Sequence, residues 1–211
     1  TPAPRNGPSP GGVGRSMSTR AFAVTWDYRC PFARIGHLHV IEGLRAGADW
    51  DVTFAPFSLG QAHVEEGQPD VWDDPTKETG LLALQVGVTV RDQHPDAFLD
   101  VHEAIFDARH VDGADLRDES VLRGILERHG LDADQVLEAA RSGALDVVHK
   151  EHDRVVADHE VWGVPTFIAD GQSVFVRLME GPDHDADLAV QTVERVLDLV
   201  TGWPQLNEFK H

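Results

Sequence analysis

The chain has 211 residues, which suits one globular domain or one domain that carries a sizeable insertion. Its 36 acidic and 18 basic residues give a formal charge of −18, and a surface with that charge repels nucleic acid and anionic membranes. No apolar run approaches the length of about 18 residues that a membrane span needs, and a single cysteine excludes an intrachain disulfide. We therefore expect neither nucleic acid nor a membrane as a partner.

The first 18 residues are rich in Pro and Gly and lack the apolar segment of a secretory signal. We interpret residues 1–18 as a disordered leader or an expression remnant, with Met17 as the natural start. No room remains for a targeting peptide before the first predicted strand, and a lone thiol suits a reducing compartment. We therefore expect a cytoplasmic protein.

The first structured region predicts a strand, a helix and a second strand. Residues 21–26 read as a buried strand, and Cys30-Pro31 begins a helix that ends at Gly47. The predicted apolar face of this helix consists of Phe32, Ile35, Leu38, Ile41 and Leu44. Alternation over residues 50–56 predicts the second strand. Strand, helix and strand at this spacing form a βαβ unit, which is normally parallel.

The middle of the chain predicts a polar loop followed by several helices. Residues 58–73 are polar, and Asp74-Pro75 provides a helix cap and a first helical residue. Three apolar stripes predict the inward faces of the next helices: Leu81, Leu84 and Val88; Phe98, Val101, Ile105 and Ala108; and Val121, Leu122, Ile125 and Leu126. A short helix starts at Asp132, and a longer one covers residues 144–161.

Strand patterns return near the C-terminal end. Residues 165–169 and 173–177 flank Asp170-Gly171, a pair typical of a tight hairpin turn, and a last helix ends at Gly202. Without the helical block the element order is βαβ–ββα, the plan of a thioredoxin fold. We therefore predict an α/β protein with a mixed sheet.

The same pattern suggests a division of the chain. We expect residues 19–58 and 162–211 to form a thioredoxin-like domain, and residues 59–161 to form an α-helical insertion between its two halves.

Cys30 lies where the first strand gives way to the first helix. Unpaired N–H groups and the positive end of the helix dipole stabilise a thiolate at such a position, and the thiolate is the nucleophilic form. We therefore predict that Cys30 is the catalytic nucleophile and that its pKa lies below the value of about 8.5 for a free thiol. The alternative is a small, buried and inert cysteine.

Two segments resemble one known family. The run DYRCPFA at residues 27–33 is similar to the active-site loop of the DsbA-like branch of the thioredoxin superfamily, and GVPTF at residues 163–167 is similar to its second signature. The resemblance covers about residues 20–200 and extends to the FrnE, 2-hydroxychromene-2-carboxylate isomerase and kappa-class transferase relatives. It implies a cis proline that faces the cysteine. The residues it implies for substrate or thiol binding are Pro31, Phe32, Val164, Pro165 and Thr166.

The sequence also departs from that family's pattern. Ala33 stands where related oxidoreductases have a second cysteine, and Val24 stands where they have a buried acid. Asp27 is the one nearby carboxylate, which we interpret either as an assisting acid or as a solvated loop residue or cap. The isomerase relatives have serine in place of Cys30. Without a second cysteine, a mixed disulfide on Cys30 must be cleared by another thiol.

These observations predict a thiol–disulfide oxidoreductase with a single active-site cysteine. We expect no tightly bound cofactor and a low-molecular-weight thiol as co-substrate. The expected partners are a small-molecule thiol, a thiol-linked substrate or protein disulfides, and the oligomeric state stays open. One alternative is a thiol-dependent isomerase or transferase. The other is a catalytically degenerate thioredoxin-fold protein that binds a peptide or protein without turnover.

Histidines raise the question of a metal site. His149, His152 and His159 lie along one predicted helix, but their spacing matches no established zinc pattern. We interpret them as solvated or capping residues, with His152 partly buried and hydrogen-bonded, and we predict no metal. We also expect His37 and His39 at the surface of the first helix.

Overall fold

The fold is built on a four-stranded mixed sheet. A computed structural model of the chain describes residues 19–74, 80–203 and 205. The strands are β1 (Arg20–Trp26), β2 (Trp50–Pro56), β3 (Thr166–Ala169) and β4 (Gln172–Phe175). Their order is β2-β1-β3-β4, with β1 parallel to β2 and antiparallel to β3, and with β3 antiparallel to β4. The predicted mixed sheet is confirmed.

Eight α-helices cover this sheet or form the insertion within the described chain. In order they are α1 (Pro31–Arg45), α2 (Leu59–Ala62), α3 (Leu81–Gln93), α4 (Pro95–His110), α5 (Glu119–Arg128), α6 (Ala133–Ala139), α7 (Leu145–His159) and α8 (Ala186–Gly202), with a π-helical segment at Ala140–Ala144. The side chains of Asp118, Asp132 and Asp185 cap α5, α6 and α8. The chain is therefore α/β with βαβ and ββα halves and helices inserted between them, as predicted.

The C-terminal hairpin follows the predicted turn. Asp170 and Gly171 have φ values of 50° and 75°, which the two central residues of a type I′ turn require. Strand β4 ends at Phe175, two residues before the predicted end. Val176 still donates its N–H to the Pro165 carbonyl at 3.0 Å, and the chain leaves the sheet after that bond.

The buried face of α1 differs from the predicted one. Of the five predicted residues only Ile41 is fully buried, because α1 packs against β1, α4 and α8 and turns a face of small residues and histidines inward. His37 and His39 are buried, so their predicted surface position is wrong. His39 Nε2 donates to the Glu180 carbonyl at 3.0 Å, and the partners of His37 belong to the site. Gly43 allows the Trp50 ring to approach, since a Cβ there would lie 2.3 Å from it.

The inserted helices bury the stripes that their periodicity predicts. All the predicted inward residues of α3 and α4 are buried, and in α5 only Val121 is partly exposed. The segment predicted as loop contains the short helix α2, which Ser58 caps. No helix in the described ranges is long and apolar enough to cross a membrane.

Three predictions fall wholly or partly outside the described residues. They concern the leader at residues 1–18, the helix start at Pro75 and the end of the predicted thioredoxin-like domain, at residues 204 and 206–211. In the part that the structure describes, α3 begins at Leu81 after Gly80.

Candidate functional site

The loop between β1 and α1 presents the cysteine at a helix start. Cys30 is the N-cap of α1, with φ −94° and ψ 117°, and Pro31 follows at the first helical position. The Cys30 N–H donates to the Asp27 carbonyl at 3.0 Å, and the Arg34 N–H donates to the Cys30 carbonyl at 3.1 Å. The side chain of Cys30 is half-buried. The loop therefore holds the sulfur at the predicted position.

The thiol lies against the segment that precedes β3. Cys30 Sγ donates to the Val164 carbonyl at 3.2 Å, and the peptide bond between Val164 and Pro165 is cis. The Thr166 N–H donates to Thr25 Oγ1 at 2.9 Å and ties this segment to β1. Two segments that are 134 residues apart in sequence are thus joined at one sulfur atom.

The remaining predicted binding residues lie next to Cys30 or Val164 in sequence and differ in exposure. Pro31 is exposed, and Phe32 is half-buried. Pro165 is buried and packs against α1 at Gly36, where an added Cβ would lie 3.0 Å from the proline ring. A glycine at that position therefore lets the Pro165 segment approach the helix that carries the cysteine.

The pKa of the Cys30 thiol is raised above its ordinary value, so the predicted lowering is wrong. Burial is the largest cause because it disfavours the charged thiolate, and the Asp27 carboxylate adds to the rise. The N–H groups of Ala33 and Phe32 and the charge of Arg177 lower the pKa, but they do not outweigh burial. The hydrogen bond to the Val164 carbonyl also stabilises the neutral thiol, since a thiolate has no proton to donate.

Asp27 is fully buried, so its interpretation as a solvated residue is wrong. Its Oδ1 accepts the Arg29 N–H and its Oδ2 accepts the Leu59 N–H, both at 2.8 Å. The Arg29 guanidinium lies 3.2 Å from Oδ2. Asp27 therefore fastens the active-site loop to the segment after β2, and its action as an assisting acid stays a prediction.

An exposed cation, Arg177, lies over aromatic rings, one of which belongs to Phe32, two residues after the cysteine. The Arg177 guanidinium carbon lies 5.1 Å from the Phe32 ring centroid and 5.3 Å from the Phe175 ring centroid. The Trp162 and Phe175 ring centroids are 4.6 Å apart, and Trp162 is 66% exposed. Arg177 is exposed, as Trp162 is, and its charge acts on the Cys30 thiol.

On the inner side of the loop, buried hydrogen bonds connect three elements. Tyr28 Oη lies 2.7 Å from His102 Nδ1, and His102 Nε2 lies 2.9 Å from His37 Nδ1. His37 Nε2 lies 3.1 Å from the Thr25 carbonyl. All four residues are fully buried. We call this set the Tyr28–His102–His37 chain.

The direction of each bond in this chain follows from the carbonyl at its end. A carbonyl only accepts, so His37 Nε2 donates to Thr25, and His37 Nδ1 accepts from His102 Nε2. His102 Nδ1 then accepts the Tyr28 hydroxyl proton. Burial lowers the pKa of His37 to about 4 and lowers the pKa of His102 well below its ordinary value, so both rings are neutral at pH 7.

The sequence analysis did not predict the Tyr28–His102–His37 chain, although the position of His102 indicated that it is buried. His102 lies on the apolar stripe of α4, between Val101 and Ile105, and that position predicts burial. Its partners are 65 and 74 residues away, so no local pattern reveals them.

The three histidines of α7 do not gather at one site. His152 is buried and accepts the Ser58 N–H at 3.2 Å, which confirms its predicted burial and hydrogen bond. His149 stacks on Trp72 at 4.6 Å between ring centroids. Over residues 19–74, 80–203 and 205, no group of three or more His, Cys, Asp or Glu is arranged to hold a metal ion.

Comparison with known proteins identifies relatives of this chain. Its residues 24–183 match the family described as DSBA-like thioredoxin domain. It is 29% identical over 96 residues to the thiol:disulfide interchange protein DsbA of Azotobacter vinelandii. That alignment covers 45% of this chain and 45% of the relative, so the chain matches less than half of the relative's length.

Solved structures share the fold at low sequence identity. Pseudomonas aeruginosa DsbA is 20% identical, with 86% of this chain and 88% of that chain covered and a TM-score of 0.55. MdbA, a thiol-disulfide oxidoreductase from Actinomyces oris, is 18% identical, with 92% and 84% covered and a TM-score of 0.57. DsbM, a cytosolic disulfide reductase from Pseudomonas aeruginosa solved with GSH, is 14% identical, with 85% and 100% covered and a TM-score of 0.60. Because the family match spans most of the described sequence, the chain belongs to the DSBA-like thioredoxin domain family.

Proposed function

We propose that Cys30 carries out thiol–disulfide exchange as a single thiol, with a low-molecular-weight thiol as the second reactant. The observation that carries the proposal is the position of the sulfur. It is half-buried at the start of α1, within 3.2 Å of the Val164 carbonyl, and the sequence contains no second cysteine to resolve a mixed disulfide. A protein of the same fold, a cytosolic disulfide reductase solved with GSH, supports the proposal of a small thiol and of a cytoplasmic location.

The exchange has two steps. In the first, the Cys30 thiolate attacks a disulfide, the S–S bond of the substrate breaks, and one half leaves as a thiolate while the other stays bound to Cys30. In the second, the thiolate of the small thiol attacks this mixed disulfide, and Cys30 leaves as a thiolate. The small thiol ends in a disulfide with the half that Cys30 held, the other half of the substrate is released reduced, and Cys30 returns to its starting state.

The surroundings of the sulfur support distinct roles for the neighbouring residues. The Val164 carbonyl holds the resting thiol proton, which must leave to a base in solution before attack. The N–H groups of Phe32 and Ala33 stabilise the thiolate once it forms. The Pro165 and Thr166 segment, together with Pro31 and Phe32, borders the space that a disulfide, small or protein-borne, would occupy.

The raised thiol pKa favours a second candidate function. A raised pKa leaves less thiolate than a free thiol has at the same pH, and slower reaction suits a protein that binds a partner without turnover. An isomerase or transferase, in which Cys30 assists a bound thiol, is the remaining alternative. It requires turnover of a substrate that contains no disulfide.

Steady-state kinetics separate these functions. We expect the folded chain to catalyse the reduction of a mixed glutathione disulfide by glutathione with ping-pong kinetics, because Cys30 is modified and released in each cycle. The Cys30→Ser variant, which keeps size and hydrogen bonding, should be inactive. Activity equal to that of Cys30→Ser would favour the binding protein, and turnover of a substrate without a disulfide, with no oxidation of thiol, would favour the isomerase or transferase.

A further inference from the structure

A cavity with a basic wall opens beside the residue that precedes the cysteine. Its volume is about 260 Å³, and its lining residues are Arg29, Arg109, Gly113, Asp115, Leu116 and Arg117. Three arginines and one aspartate give this lining a formal charge of 3 − 1 = +2, in a chain whose net charge is −18. Asp27 pairs with Arg29 from the buried side of the loop. We call this cavity the arginine cavity.

Two contacts hold this cavity against the active-site loop. His110 Nε2, at the end of α4, donates to the Tyr28 carbonyl at 2.8 Å. Arg34, one helical turn after the cysteine, pairs with Asp107 of α4 at 2.7 Å. Arg109 lies between these two anchored positions of α4 and lines the cavity. The basic wall is therefore part of the same rigid assembly as the thiol.

Two arginines of the cavity differ in whether they already have an acidic partner. Arg117 holds Asp115 through three hydrogen bonds of 2.7 to 3.0 Å, and both side chains are exposed. In the described part of the chain, Arg109 has no carboxylate at ion-pair distance, and its guanidinium reaches only the Ala114 carbonyl at 3.5 Å. An incoming anion can therefore bind Arg109 directly, and it can bind Arg117 by displacing Asp115.

We infer that the arginine cavity binds a carboxylate of the small thiol, which makes thiols that carry a carboxylate the substrate class of Cys30. This inference rests on the proposed function, since the ligand is the co-substrate of the exchange. A guanidinium binds a carboxylate through paired hydrogen bonds, and neutral or cationic thiols lack that partner. Arg29 lines the cavity and directly precedes Cys30, so the cavity borders the loop that carries the sulfur.

The test uses S-methylglutathione, which carries the carboxylates of glutathione but cannot exchange. We expect it to slow the alkylation of Cys30 by iodoacetamide, and we expect the protection to weaken as salt increases. At low salt, the Arg109→Ala and Arg117→Ala substitutions should each raise the concentration of S-methylglutathione that gives half-maximal protection by roughly fivefold. The Asp115→Asn substitution should strengthen it, because a competing carboxylate is removed, and a folding defect would not produce that gain.

Two controls define the outcome. Arg195→Ala removes an exposed arginine of α8 outside the cavity and should leave protection unchanged. The diethyl ester of S-methylglutathione, which lacks both carboxylates, should not protect. Equal protection by the ester, or unchanged protection in the Arg109→Ala/Arg117→Ala double variant, would overturn the arginine cavity. If S-methylglutathione protects Cys30 as expected but the protein does not catalyse disulfide exchange, the proposed function is overturned and the carboxylate site in the arginine cavity stands.

Discussion

Tyr28 and Arg29 are consecutive residues that belong to regions of opposite character. Tyr28 points inward to the Tyr28–His102–His37 chain, where every group is buried and neutral and each bond has a defined direction. Arg29 lines the arginine cavity and pairs with Asp27, and the half-buried thiol of Cys30 follows it in the outer region. The inner region has no net charge, whereas the outer region is where a ligand can be bound.

The difference suggests a division of labour within one loop. A buried polar group that loses its partner costs about 1–3 kcal/mol, so the inner chain strongly favours one loop conformation. Exposed charges contribute less to stability because water and salt screen them. We therefore expect substitutions in the inner region to change stability and substitutions in the outer region to change reactivity.

The largest expected effect comes from His102. The His102→Leu substitution leaves the Tyr28 hydroxyl and His37 Nδ1 without partners inside the core. We expect the free energy of unfolding, measured by urea denaturation, to fall by about 2–4 kcal/mol. The Arg195→Ala control should change it by less than about 0.5 kcal/mol. A loss below about 1 kcal/mol for His102→Leu would show that the inner chain does not support the loop.

The neutral histidines also predict how stability depends on pH. His37 has a pKa lowered to about 4, so between pH 6.5 and about 4 the unfolded chain binds a proton there that the folded chain does not. Stability is therefore fully present above pH 6.5 and decreases as the pH falls through this window, by on the order of 3 kcal/mol for His37. His102 and His152 act in the same direction.

Urea midpoints at pH 7 and pH 5 measure this dependence. The carboxyl of Asp115, whose pKa is lowered to about 2, contributes only at lower pH, so it does not obscure the window. The His102→Leu variant should show a weaker dependence than the wild type. Equal stability at the two pH values in the wild type would contradict the neutral state of the buried rings.

The smallest expected effect concerns Arg177 in the outer region. Its charge lowers the pKa of Cys30, so the Arg177→Ala variant should have a higher thiol pKa and slower alkylation near pH 7. The pH dependence of the alkylation rate measures this. The free energy of unfolding should change little, because Arg177 is exposed. A lower thiol pKa in the variant would contradict the assigned direction.

Local patterns predicted much of this architecture. The strand at residues 21–26, the turn at Asp170-Gly171 and the stripe of α4 each depend on neighbours within a few residues, so periodicity and turn chemistry suffice to find them. The approach of Val164 to Cys30 is different. The resemblance of two motifs to one family predicted this contact, since no local pattern connects residues that are 134 positions apart.

The wrong predictions for His37, Asp27 and the pKa of Cys30 have one physical cause. In each case burial depends on elements that are distant in sequence. His37 is enclosed because α4 packs over α1, and Asp27 is enclosed because Leu59 returns to it from beyond β2. The pKa of Cys30 was predicted from the helix start alone. Burial and the charge of Asp27 reverse the direction, and neither can be read from the residues next to the cysteine.

Intact-mass analysis after exposure to glutathione disulfide tests the central role of Cys30 most directly. We predict that the folded chain gains one glutathione, that Cys30→Ser gains none, and that added glutathione restores the original mass. The urea-unfolded chain is the control for intrinsic thiol reactivity. A folded chain that stays unmodified while the unfolded chain gains glutathione would contradict single-thiol exchange at Cys30.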